Sequence, residues 1–143
     1  MNPFQTRAYL ATLIAGTALL VALFIGLAIG GGAVPLQFSD PGPLIRYGVP
    51  ITKALMNLSM AVAIGSLVFA AFAANEKSAV LRKLLNLSSA GAAAWAVAGS
   101  VHFVLSFVSV SGASFSLDES FSQGLIVYAT EIELGISLAL NLA

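Results

Sequence analysis

Few side chains in this sequence could do chemistry, and the softest of them are two methionines and one histidine. Met56 and Met60 stand four residues apart, a spacing that puts both thioethers on one face of a helix. Soft sulfur ligands suit Cu(I), and His102 falls at a compatible depth on the next helix. A second reading stands beside this one. Methionine is a flexible core filler, and a lone histidine satisfies itself with a neighbouring hydroxyl or carbonyl. The remaining polar candidates are Arg46, Lys53, Asn57, Glu131 and Glu133, a cluster that falls within or at the edge of apolar runs. A charge at mid-membrane costs roughly 2.5–3.5 kcal/mol on insertion scales, so each needs a partner or a boundary position. Arg46 and Lys53 are expected either to snorkel into the headgroups or to pair with the two glutamates.

Other chemistry is excluded by what the sequence lacks. It has no cysteine, hence no disulfide, thiolate metal site or thiol nucleophile. A single histidine excludes a two-histidine metal or haem site within the chain. Phosphate loops and nucleophile elbows are absent from the sequence, so no enzyme activity is expected. Net charge is zero, which offers no basic field to nucleic acid.

The elements that would hold these residues are membrane helices. Of 143 residues, 59% are hydrophobic and 8% charged, about a third of the charge of a soluble domain. The mean hydropathy is +0.98. Such a chain cannot keep a water-facing surface wet, so lipid or other membrane subunits must cover it. The expected fold is all-α, a single polytopic bundle over 1–143 with about four transmembrane helices, at 8–32, 50–74, 84–110 and 117–143. The first run exceeds the core of a signal peptide and reads as a retained span. It carries a Gly26–Gly30 pair that allows close approach of another helix. Asp40-Pro41-Gly42-Pro43 marks a turn in the first loop, and Pro50 is the expected first residue of the second helix. The first half of the third helix is nearly all Ala, Gly and Ser around Trp95, which suits packing among neighbours. The two Asn-x-Ser matches, at Asn57 and Asn86, are chance.

For the last run two arrangements are open. One helix could carry Glu131 and Glu133 near mid-membrane. Alternatively the chain breaks near 130, with Ser116/Glu119 and Thr130/Glu133 as two capping boxes. The first box would open an interfacial helix. The second would place both glutamates in the first turn of an incomplete span of only about 20 Å, which needs to continue or to dock on a partner. Basic residues set the orientation: Arg7, Lys77, Arg82 and Lys83 on one side, Arg46 and Lys53 on the other. The larger group predicts a cytoplasmic N-terminus in a bacterial inner membrane.

The stretch Asp40-Pro41-Gly42-Pro43-Leu44-Ile45-Arg46-Tyr47-Gly48-Val49-Pro50-Ile51-Thr52-Lys53-Ala54-Leu55-Met56-Asn57-Leu58 resembles the start of a known group of membrane proteins. These are fusions from high-GC Gram-positive bacteria that join a copper-resistance protein D-like half to a cytochrome c oxidase assembly half. The first long helix, the Ala-rich third helix and Thr130-Glu131-Ile132-Glu133-Leu134-Gly135 follow in the same order. The resemblance covers nearly the whole chain. It implies a membrane module in copper handling, with cytochrome oxidase as a partner and copper as the cargo. Two departures stand out: such relatives run on for many more helices, and copper ligands here are sparse. A non-catalytic structural subunit of a respiratory complex is the alternative.

Overall fold

The computed structural model describes residues 3–30, 40, 42–73, 79–112, 115–116 and 118–142. Among them the chain is all-helical, with α1 Pro3–Ile29, α2 Pro43–Ala73, α3 Ala79–Ser111, α4 Glu119–Glu131 and α5 Glu133–Leu142. Residues 31–39 and 74–78 lie outside the described residues. The loop expected over 31–48 gives way to helix from Pro43, and Arg82 and Lys83, expected in a polar stretch before a third helix at 84, lie inside α3. Two helices are long and apolar enough to cross a membrane, over Pro43–Phe72 and Ala79–Ser111, or three if the bent pair α4–α5 counts as one span. In α1 the described apolar stretch is the shorter Leu13–Ile29.

The chain divides into two compact units, 1–38 and 39–143. In the first, α1 shows its large apolar side chains on the outside, Ile29 being 83% exposed. Gly30 follows the helix, its N–H donating to the Gly26 carbonyl at 2.8 Å. In the second unit α2 and α3 run antiparallel along most of their lengths. At one end of this pair sits the core: Ile45, Leu105, Phe107, Val108 and Tyr128, backed by Val49, Phe103, Phe121 and Leu125. The rings in it meet tilted or edge-on, Phe107 lying 5.2 Å from Phe121 and 5.6 Å from Tyr128. That geometry favours ring edges over faces.

Three expectations about helix ends are corrected. The second helix begins at Pro43 rather than Pro50, which lies inside it. Pro43 is the first residue of α2, and the turn before it is closed by Asp40, whose Oδ1 accepts from the Gly42 N–H at 3.2 Å. Gly42 itself has φ 86°, a conformation that glycine takes without steric cost. With the first turn already held there, the helix runs on through the second proline.

At the C-terminal end the chain does break, at Ile132, and α4 and α5 meet at 88°. The capping boxes are not what makes the ends. Asp118, not Ser116, caps α4, its Oδ1 accepting from the Phe121 N–H at 2.9 Å. Ser116 instead donates to that carboxylate at 2.8 Å. Thr130 stays inside α4 and turns its hydroxyl back onto the Ile126 carbonyl at 2.8 Å. Glu133 opens α5 as expected, whereas Glu131 closes α4. The corner falls where Gly135 can press against the Tyr128 carbonyl, a place where any Cβ would overlap that oxygen. Packing therefore sets the break two residues beyond the place the Thr130 box would put it.

Candidate functional site: the polar seam between α2 and α3

The register of the α2–α3 contact can be followed turn by turn. A Cβ built on Gly48 would lie 2.9 Å from Leu105 Cδ1. Thr52 Oγ1 lies 3.0 Å from His102 Nδ1. Then Met56 Sδ faces Gly99, at 3.5 Å from a Cβ built there. Deeper still, Gly91 meets the Ser59 carbonyl and the Ala63 backbone, and Ser88 Oγ donates to the Ala63 carbonyl at 3.0 Å. At Gly91 the two helices touch backbone to backbone, since a Cβ would stand 2.9 Å from Ala63 N. Small residues make this approach possible, and the Ser88 hydrogen bond then fits across it.

His102 and Thr52 are the polar centre of the seam. The ring is 6% exposed and Thr52 8%. The histidine thus has a hydroxyl within hydrogen-bond distance of one ring nitrogen.

The three soft donors are placed unequally. Met56 lies within one turn of His102 in the seam, because the Gly99 it faces precedes His102 by three residues. Met60 is 46% exposed and lines a groove with Ala63, Ile64, Ala92 and Trp95. Trp95 lies seven residues from His102, so Met60 opens about 10 Å along the axis from the ring. The structure brings Met56 and His102 to one level and leaves Met60 at another.

The charged candidates do not gather. Arg46 Nε lies 3.5 Å from Asp40 Oδ1, so this cation has a carboxylate at the start of its own helix rather than one from the last run. Lys53 and Asn57 are exposed on α2. Glu131 and Glu133 are exposed at the α4–α5 corner, and neither pairs with a cation among the described residues. At the start of α4, the Phe121 N–H holds the Asp118 carboxyl below its ordinary pKa, helped by the hydroxyls of Ser116 and Ser120.

Thr52, Ser88 and Gly91 are the seam residues that sequence reasoning does not single out. A signal for them exists. Thr52 stands one turn after Gly48, and Ser88 precedes Gly91 by three residues, each pair sharing a helix face. Compared with known proteins, the chain matches no family model, no curated protein and no solved structure.

Proposed function

We propose that this chain is a membrane-embedded scaffold module in copper handling, serving the supply of copper to cytochrome c oxidase. The link to copper rests on the resemblance carried by Asp40 to Leu58 and by Thr130 to Gly135. The scaffold role rests on one observation, the engagement of His102 in the α2–α3 seam. Its Nδ1 is committed to Thr52, and Met60 faces a separate groove. Met60 opens on a different groove from His102, so this reading routes no copper step through Met56, Met60 and His102 together. In this reading the second unit holds a fixed pair of helices beside the proteins that carry the ion. The chain is multi-pass, non-enzymatic, and sits in a bacterial inner membrane with its N-terminus in the cytoplasm.

A structural accessory subunit of a respiratory complex is the second reading, favoured by one feature. Ser89, Ala90, Ala93, Ala94 and Ala96 give α3 an exposed face of small side chains, on which another helix could pack closely. Purification from native membranes separates the two. Copper-carrying proteins recovered with the chain support the scaffold. Stable recovery with oxidase subunits, with copper delivery unaffected by deletion of the chain, supports the accessory subunit. If copper is retained stoichiometrically by the purified chain and lost in Met60→Leu and His102→Gln, the ion binds here and the scaffold reading fails. Met60→Leu nearly conserves volume, so its packing cost stays under about 1.5 kcal/mol.

A further inference from the structure

Pro50 lies inside α2, and without an N–H it cannot supply the rung to the Arg46 carbonyl four residues earlier. Gly48, two residues before it, adds a residue with little helical stiffness of its own. This is the weakest place in an otherwise continuous helix. The next polar residue, Thr52, turns its hydroxyl back to the Gly48 carbonyl at 2.7 Å, with the Val49 carbonyl at 3.0 Å. Back-bonding of this kind is itself associated with bending of helices.

With Nδ1 protonated the ring donates to the hydroxyl, and with Nδ1 bare the hydroxyl donates to the ring. In either tautomer the 3.0 Å contact between Thr52 Oγ1 and His102 Nδ1 ties α3 to Thr52. The ring on α3 thus meets a hydroxyl that lies against the two carbonyls immediately before the proline. Leu105, one turn further along α3, packs on Gly48. Ile45, on the outer segment of α2, belongs to the same buried cluster as Leu105.

We infer that Pro50 is a hinge in α2 and that His102 is its latch, fixing the segment from Pro43 to Val49 against α3 through Thr52. Released, that segment swings about Pro50 and carries Ile45 out of the aromatic core. The remainder of α2 stays seated on α3 at Gly91 and Ser88.

The absence of cysteine allows paired spin labels to be placed at will in the full chain in lipid nanodiscs. Labels at Leu44→Cys and Phe72→Cys, 66% and 88% exposed, span the hinge. Labels at Leu87→Cys and Val110→Cys, 50% and 60% exposed, span the unbroken α3 as a control. The native chain should give one narrow distance for each pair. His102→Phe and Thr52→Val should each abolish the single narrow peak of the hinge pair and leave the α3 pair unchanged. Adding Pro50→Ala to His102→Phe should restore it. A hinge pair that stays narrow in both variants overturns the inference. So does equal broadening of both pairs, or broadening that survives Pro50→Ala.

Discussion

Gly91→Ala tests whether the α2–α3 seam is a backbone contact. The added methyl would lie 2.9 Å from Ala63 N, 3.1 Å from the Ser59 carbonyl and 3.2 Å from Ala63 Cα. None of these atoms is the end of a flexible side chain, so the helices themselves must part by several tenths of an ångström. Overpacking of this kind costs about 1–3 kcal/mol. Parting also stretches the 3.0 Å bond from Ser88 to the Ala63 carbonyl, and an interhelical hydrogen bond in a membrane is worth about 0.6 kcal/mol. Against this, alanine gains about 1 kcal/mol over glycine in a helix. The net expectation is a loss of about 1–2 kcal/mol. Gly65→Ala in α2 is the control, because nothing lies within 4 Å of its Cβ position and only the helical gain remains. Reversible unfolding in mixed micelles, followed by helix circular dichroism, reads both. Equal or greater stability of Gly91→Ala relative to Gly65→Ala would refute the close approach.

Further outcomes follow from other sites. Gly135→Ala should cost more than Gly124→Ala in the same unfolding assay. The first puts a methyl onto the Tyr128 carbonyl, the second only against the edge of the Phe107 ring. Tyr128 is 2% exposed and its hydroxyl is buried without a partner among the described residues. Tyr128→Phe should therefore hold stability or raise it by about 1 kcal/mol, and a loss of that size would mean the hydroxyl has a partner. The Asp118 cap has a depressed folded-state pKa. Its stabilisation is complete above the ordinary carboxylate range and is lost as pH falls through the depressed value. Protection of the Phe121 amide, taken relative to its intrinsic exchange rate, should fall only in that acid range, and in Asp118→Ala at every pH. Trp95 is the middle residue of α3 and the only tryptophan, so lipids brominated deep in the acyl chain should quench it most. Strongest quenching by headgroup-level bromines would take α3 out of a spanning position.

The class of the fold was legible because so few charges leave the chain no water-facing surface. The break in the last run was legible too, through two carboxylates that a single span would leave near lipid. Its position was not. Local pattern favours Thr130 as a cap, but the corner is set by Gly135 meeting Tyr128, a contact between helices that no local pattern contains. The start of α2 was misplaced for a related reason. Two prolines, at 43 and 50, each suit a first turn, and the Asp40 turn before Pro43 decides between them. Of the site, the depth of His102 relative to Met56 could be read by counting turns. Its partner Thr52 could not, because the rotation of α2 about its own axis is fixed by Gly91 and Ser88, about three to four turns away along α3. That same rotation sends Met60 to the outer groove.

The lengths of α2 and α3 have a bearing on where such a protein is at ease. At 31 and 33 residues they measure about 46 and 50 Å. A hydrocarbon layer of about 30 Å is well short of that. Because the pair is locked in register from Met56–Gly99 to Ala63–Ser88, neither helix can shorten its reach by sliding past the other. The excess is taken up by tilting the pair as a unit or by letting its ends stand among the headgroups, where Arg82 and Lys83 are exposed near one end. Thinner membranes would force more tilt and thicker ones less. A bilayer of different thickness would therefore change the tilt of the pair as a unit and leave the register along the seam unchanged.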